Sequence, residues 1–66
     1  MTELILRREA RRLVGNISRA TEQRLLRNSP DWPRPVKISP GRSGYVLSEV
    51  QAYIELQIAR RDNQAS

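Results

Sequence analysis

The chain has 66 residues, enough for one domain with a marginal core and no large active-site cleft. It contains no cysteine and no histidine, which excludes disulfides, zinc fingers, thiol chemistry and the commonest general base. No segment has the apolar length of a signal peptide or a membrane span, so we expect a cytoplasmic protein without membrane contact.

Positive charge is concentrated in the first two thirds of the sequence. Eleven arginines and one lysine stand against seven acids, for a net charge of +5. Residues 7–42 alone carry +7, whereas residues 43–66 carry −1. The planar guanidinium group of arginine suits phosphate oxygens and guanine edges. This pattern predicts a polyanion as partner, with a merely solvated basic surface as the alternative.

The first segment predicts a short apolar run followed by a helix. Residues 4–6 are either a brief strand or the lead-in to that helix. Gly15 and Asn16 tolerate a left-handed backbone and predict where the helix ends. The apolar residues Ala10, Leu13, Val14 and Ile17 recur at helical spacing and form one side of the helix. The arginines Arg8, Arg11 and Arg12 occupy the other side.

A second helix is predicted from Arg19 to about Arg27, with Ser18 as its N-cap. Pro30 ends it, because proline disfavours a helical conformation in its predecessor. Two helices joined by so short a turn predict a helix-turn-helix. On a helical wheel the inner side of this helix carries Ile17, Thr21 and Leu25. The outer side is basic, and it either suits a major groove or is simply solvated. Its residues are Arg19, Ala20, Gln23, Arg24 and Arg27.

A β-hairpin is predicted next, with strands at residues 36–38 and 45–47 around the turn-rich residues 39–44. This is where a winged helix-turn-helix carries its wing. Arg42 at the tip is expected to reach a phosphate or a minor groove. Trp32 is more simply a core residue than a base-stacking one, since so short a domain needs its largest apolar side chain.

A third helix is predicted after Ser48 as N-cap, with Gln51 completing a capping box. Arg60 and Arg61 suit the negative end of its dipole, and residues 62–66 are expected to fray. One side of this helix predicts a core stripe made of Val50, Tyr53, Ile54 and Ile58. The opposite side carries Ala52, Leu56 and Ala59, which are either a contact surface for a second copy or ordinary surface residues.

Three stretches of the sequence together resemble a known family. They are Ser18-Arg19-x-Thr21-x-x-Arg24, the run of residues 30–38 (PDWPRPVKI), and Gly44-Tyr45 followed by residues 48–54 (SEVQAYI). In this combination, over about residues 4–61, the chain resembles the AlpA family of phage-type regulators, which is related to the MerR-like excisionases. The resemblance implies a winged helix-turn-helix that is mainly α with a small β-hairpin: one domain over residues 1–66, three helices plus a wing, ordered over about residues 4–61.

The resemblance further implies a sequence-specific protein of a prophage or integrative element in the bacterial nucleoid. Such proteins bind double-stranded DNA at operator or attachment-site repeats. They regulate transcription, or act as excisionases that bend DNA beside an integrase, and cooperative self-association on DNA is expected. The implied recognition-helix residues are Ser18, Arg19, Ala20, Thr21, Gln23, Arg24 and Arg27, and the implied wing and backbone contacts are Arg34, Lys37, Arg42 and Ser43.

Three features depart from the family pattern, and the first is the turn at residues 15–18 (GNIS), which is one residue longer than usual. Arg11 stands where a small apolar residue is common, and Glu22 stands where an apolar residue is usual. On the wheel Glu22 lies toward the inner side, where an unpaired carboxylate is costly. Either it pairs with an arginine of the first helix, or the second helix is rotated or shifted from this placement.

Other classes of function fit the sequence less well. An inhibitor or antitoxin-like interaction module, whose arginines meet an acidic protein, is the alternative to DNA binding. RNA binding lacks an aromatic platform for stacking bases. An enzyme is not expected, because the acids are scattered and no nucleophile has a base, and we expect no cofactor, metal or small-molecule ligand.

Overall fold

The computed structural model describes residues 2–64. The described part contains three helices and one three-stranded antiparallel sheet. The elements in chain order are β1 (Leu4–Leu6), α1 (Arg7–Leu13), α2 (Arg19–Asn28), β2 (Val36–Ser39), β3 (Arg42–Val46) and α3 (Leu47–Gln64). The three predicted helices and the hairpin are confirmed. The third strand makes the fold mixed α and β rather than mainly α.

The connection between α1 and α2 has the predicted turn chemistry. Gly15 and Asn16 both take positive φ angles, 106° and 58°, which end the first helix. The Ser18 hydroxyl then accepts a hydrogen bond of 3.1 Å from the backbone N–H of Thr21. The predicted N-cap of α2 is therefore confirmed.

The sheet has the strand order β1-β3-β2, so the last strand in sequence lies in the middle. Residues 4–6 are a strand, which resolves the choice left open by the sequence. They pair with β3 in the register Leu4 to Val46 and Leu6 to Gly44. The β2–β3 turn is shorter than predicted, because β3 already begins at Arg42 and Leu47 belongs to the helix.

Gly44 lies on the central strand and is paired on both sides. It is opposite Leu6 on one side and Val36 on the other. A Cβ atom built at this position would collide with the backbone carbonyl of Ile5 and would lie 2.5 Å from Cδ1 of Ile38. The absence of a side chain at residue 44 is what allows β1 to approach β3.

Gly44→Ala is therefore expected to destabilise the sheet. The new methyl group must displace β1 or the Ile38 side chain, and we expect a loss of about 1–3 kcal/mol in the free energy of unfolding. In a domain of this size that lowers Tm by at least about 4 °C. Thermal unfolding measured by circular dichroism, with Ser43→Ala as the neighbouring control, tests this. Equal Tm values for the two variants would contradict the close approach.

The core forms where the sheet, α1 and α3 meet. Its buried members are Ala10, Trp32, Tyr45 and Val50. Trp32 is 3% exposed and packs edge-on against Tyr45 and Tyr53, with ring centroids 5.8 and 4.9 Å apart. The predicted core role of Trp32 is confirmed, and the aromatic residues carry much of the apolar burial that so small a domain can achieve.

Two predictions about α3 are wrong. The helix begins at Leu47, whose N–H donates to the carbonyl of Glu3 at 2.8 Å, so Ser48 lies inside the first turn and not at the N-cap. Ile58 is 45% exposed and does not join the core. Ile58 instead borders an open groove at the end of α1, together with Leu13 and Val14.

The end of α3 continues as a helix through Asp62 to Gln64, within the segment expected to fray, and residues 65–66 lie outside the described part. The sequence predicts that Arg60 interacts with the dipole at the helix end. Its guanidinium donates instead to Asp31 at 2.5 Å, which ties α3 to the segment between α2 and β2. Arg61 pairs with its neighbour Asp62.

Candidate nucleic-acid interface

The predicted outer side of α2 is exposed. This side consists of Arg19, Ala20, Gln23, Arg24 and Arg27. Thr21 is half-buried, and its hydroxyl lies 3.1 Å from the Ser18 hydroxyl, so both side chains serve the helix start. The exposed side chains on this side of α2 are therefore the three arginines, the glutamine and the alanine.

The β2–β3 hairpin presents further polar side chains to solvent. Lys37 and Arg42 are exposed, Ser43 is half-buried, and Lys37 is opposite Ser43 in the register. A bulge between Lys37 and Ser39 shifts the register just before the turn. Gly41 in that turn has a φ of 80°, a conformation that glycine accepts readily.

A groove separates the start of α2 from the hairpin turn, and we call it the arginine groove. Its volume is about 710 Å³. Five arginines and one carboxylate line it, which leaves a net positive charge of four. The lining comes from the end of β1, from α1, from the first half of α2 and from the hairpin: Leu6, Arg7, Arg8, Arg11, Arg19, Ala20, Glu22, Gln23, Gly41, Arg42 and Ser43.

Glu22 forms the floor of this groove. The residue is fully buried, and its two carboxylate oxygens accept hydrogen bonds from Arg7 Nε at 2.7 Å and Arg11 Nη1 at 2.8 Å. The Tyr45 hydroxyl also donates to Glu22, and accepts a bond of 3.1 Å from the indole N–H of Trp32. We call these five residues the Glu22 cluster.

The cluster decides between the two alternatives for Glu22. Glu22 pairs with two arginines of α1, which is the first of the two alternatives. The inner side of α2 is therefore the one that the helical wheel predicts. The prediction that Arg11 lies on the outer side of α1 is wrong. Its side chain is only 16% exposed, because it turns toward the buried carboxylate.

The cluster shifts three pKa values. Burial alone raises the pKa of Glu22, but the hydrogen bonds from Arg7, Tyr45 and Arg11 outweigh it, and the pKa lies below its ordinary value. The hydrogen bond to Glu22 raises the pKa of Arg7. Burial, followed by the hydrogen bond to Glu22, raises the pKa of Tyr45 to about 12. Glu22 therefore stays ionised and Tyr45 stays neutral at neutral pH.

The Tyr45 shift predicts a loss of stability in alkaline solution. Since the folded state holds the Tyr45 proton more tightly, the stabilisation is complete below the unfolded pKa of about 10. It is lost as the pH rises toward the folded pKa of about 12. We expect the urea midpoint of the wild type to fall across this window. Tyr45→Phe should start lower at pH 7 and change less between pH 10 and 12, and parallel pH profiles would contradict the assignment.

Several predicted contact residues lie away from the arginine groove. Arg24, Arg27 and Lys37 are exposed but do not line it. Arg34 lines a different, shallow groove beside α3, together with Trp32 and Glu49. Arg19 and Arg42 therefore line the same groove. Arg34, which is predicted to contact the DNA backbone, lies on another surface.

The predicted self-association residues share the exposed side of α3. Ala52, Leu56 and Ala59 are all exposed, Leu56 to 37%. Ala52 and Leu56 border the same shallow groove as Arg34. Their contact with a second copy stays a prediction.

Sequence reasoning missed the contribution of α1 to the groove. Arg7 and Arg8 line it together with Arg11, although the contact residues were assigned only to α2 and the segment from Arg34 to Ser43. The signal that could have found them was the concentration of charge in residues 7–42. The wheel of α1 alone could not show that its first turn meets the start of α2.

No family model matches this chain, and neither a curated protein nor a solved structure matches it. Within residues 2–64, no helix combines the length and apolar character needed to cross a bilayer. The site is therefore interpreted from its own geometry and charge.

Proposed function

We propose that this protein is a winged helix-turn-helix that binds double-stranded DNA in a sequence-specific manner. In this reading α2 is the recognition helix and the β2–β3 hairpin is the wing. The resemblance to the AlpA family adds the biological role: a transcriptional regulator or excisionase of a prophage or integrative element. The supporting observation is the arginine groove, which is lined both by Arg19, Ala20 and Gln23 of the exposed side of α2 and by Arg42 of the hairpin.

The dimensions and charge of the interface support this proposal. The ten residues of α2 correspond to a helix of about 15 Å, and the major groove of B-DNA admits an α-helix. Arg24 and Gln23 are exposed on this helix. The guanidinium group of arginine donates to the O6 and N7 acceptors of guanine, and the amide of glutamine donates to N7 and accepts from N6 of adenine. Arg19 and Arg42 flank the groove where a phosphate backbone passes when α2 is inserted.

The proposed mechanism has three steps. The arginines capture DNA through long-range attraction, α2 enters the major groove, and the hairpin contacts the neighbouring backbone or minor groove. Bending follows when both contacts are made at once, because the duplex must follow the protein surface. Release of counterions by the arginines makes the affinity fall steeply with salt.

Selection of bound duplexes from a random DNA pool at near-physiological salt tests the proposal. We expect enrichment of a short motif, recurring in tandem if the protein binds cooperatively, and a gel shift on that motif that survives competitor DNA. A pool without enrichment, together with binding that disappears at modest salt, would contradict it. An acidic protein partner would then be the better reading of the basic surface.

Arg24→Ala separates base contact from phosphate contact. If Arg24 holds a guanine edge, the variant loses about 1–3 kcal/mol on the selected motif and much less on unrelated DNA. Arg61→Ala is the matched control, because Arg61 is 74% exposed at the far end of α3. Fluorescence anisotropy with both duplexes measures the difference, and equal losses on both would make Arg24 a phosphate contact.

A further inference from the structure

We infer that the arginine groove is a preorganised phosphate site in which Arg7, Arg8 and Arg11 of α1 act together with Arg19 and Arg42. The phosphate group of a nucleic-acid backbone or of a free phosphate compound would be held between α1, α2 and the hairpin. This inference rests on the proposed function only for the source of the phosphate.

Glu22 holds two of these arginines in place. Each guanidinium group has five N–H donors, and among the hydrogen bonds of the described residues one donor of Arg7 and one of Arg11 go to Glu22. The remaining donors belong to side chains that line the groove. Long side chains normally lose rotamer entropy on binding an anion, and here Glu22 has already restricted them. An anion therefore meets donors that are ordered in advance.

Burial strengthens this arrangement. The side chains of Arg7 and Arg11 are 30% and 16% exposed, so their charges are less screened by water than those of a surface arginine. The carboxylate of Glu22 neutralises only one of the five guanidinium charges of the groove. The excess positive charge faces open space between three elements, where an anion can enter.

The shape of the groove favours phosphate over a planar carboxylate partner. Arginine side chains from three elements line the groove: Arg7, Arg8 and Arg11 from α1, Arg19 from α2 and Arg42 from the hairpin. A tetrahedral phosphate has acceptor oxygens in several directions, and arginine pairs with it in bidentate fashion. The assigned occupant is therefore a phosphate group.

Arg8→Ala tests the site without disturbing the Glu22 cluster, since Arg8 is exposed and is not a member. Anisotropy with a duplex is measured at several salt concentrations. One lost contact should reduce the slope of log affinity against log salt by about 0.9, so raising salt from about 50 to about 200 mM weakens the variant about 3-fold less than the wild type. Arg12→Ala is the control, because Arg12 lies one turn further along α1, 68% exposed and outside the groove.

Nuclear magnetic resonance of the wild type identifies the source of the phosphate. The arginine side-chain Nε–H signals are followed during titration with the duplex and, separately, with inorganic pyrophosphate. Shifts of the Arg7 and Arg11 signals with the duplex, together with the smaller salt slope of Arg8→Ala, support a nucleic-acid backbone. Shifts with pyrophosphate alone support a free phosphate compound and contradict the proposed DNA binding.

Two outcomes overturn the inference. If the duplex binds while the Arg7 and Arg11 signals stay unchanged and Arg8→Ala behaves like Arg12→Ala, the groove is not the phosphate site although DNA binding stands. If neither the duplex nor pyrophosphate shifts any arginine signal, both the site and the proposed function fail.

Discussion

Glu22→Ala is expected to remove a large part of the free energy of unfolding of this protein at 25 °C. Removing one partner of a buried ion pair costs about 3–5 kcal/mol, because the remaining charges stay in a poorly hydrated place without compensation. Here Arg7 and Arg11 would face each other without the carboxylate, and the Tyr45 hydroxyl would lose its acceptor. A domain of 66 residues has a total stability of about 3–10 kcal/mol.

The measurement is urea unfolding followed by circular dichroism at 222 nm. Glu55→Ala is the matched control, because Glu55 is exposed on α3 and a surface substitution of this kind usually changes stability by less than about 0.5 kcal/mol. Glu22→Gln keeps the shape but removes the charge, and should lie between the control and Glu22→Ala. If Glu22→Ala unfolds at the same urea concentration as Glu55→Ala, the cluster contributes nothing to stability.

The pH dependence of the wild type gives an independent check on the same residue. Because the pKa of Glu22 is lower in the folded state, its stabilisation is present above the unfolded pKa of about 4.3 and is lost as the pH falls through the folded pKa. We expect the urea midpoint to decrease in acid below about pH 4. Glu22→Gln should lack that part of the decrease.

The double variant Arg19→Ala with Arg42→Ala is expected to lose most DNA affinity. Each arginine lines one side of the arginine groove, and hydrogen bonds to charged groups contribute about 1.5–3 kcal/mol each. The combined loss should be at least about 3 kcal/mol, roughly 100-fold in Kd. The salt slope should flatten by about two units, on specific and unrelated DNA alike, because phosphate contacts carry no sequence information.

The control for this variant has the same net charge. Arg12→Ala with Arg61→Ala also removes two exposed arginines from a chain of net charge +5, but neither residue lines the arginine groove. Gel shifts at three salt concentrations compare the two double variants. If both lose the same affinity, net charge and not the placement of Arg19 and Arg42 explains binding, and the proposed wing contact is wrong.

The two sets of variants test different properties of one interface. Glu22 lies beneath the arginine groove and ties α1 to α2, so its removal should act through folding. Arg19 and Arg42 are exposed at the surface, so their removal should leave the urea midpoint nearly unchanged while affinity falls. A protein that loses affinity only together with its fold would not support a dedicated contact role for these arginines.

Local chemistry explains what could be read from the sequence. Ser18 caps α2 because a hydroxyl three residues before the Thr21 amide is in reach whatever the rest of the chain does. Gly15 and Asn16 end the first helical segment because few other residues accept positive φ. Trp32 is buried because a chain with three aromatic residues has few large apolar groups. The basic outer side of α2 likewise follows from helical periodicity alone.

Tertiary structure decided the rest, because the deciding contacts join residues far apart in sequence. Leu4–Leu6 could be a strand or a helical lead-in until it met β3, some forty residues later, where Gly44 leaves room for it. The partners of Glu22 lie eleven, fifteen and twenty-three residues away. Arg7 and Arg11 line a groove only because the folded chain brings them to the carboxylate of Glu22. Neither α1 nor α2 alone buries that carboxylate.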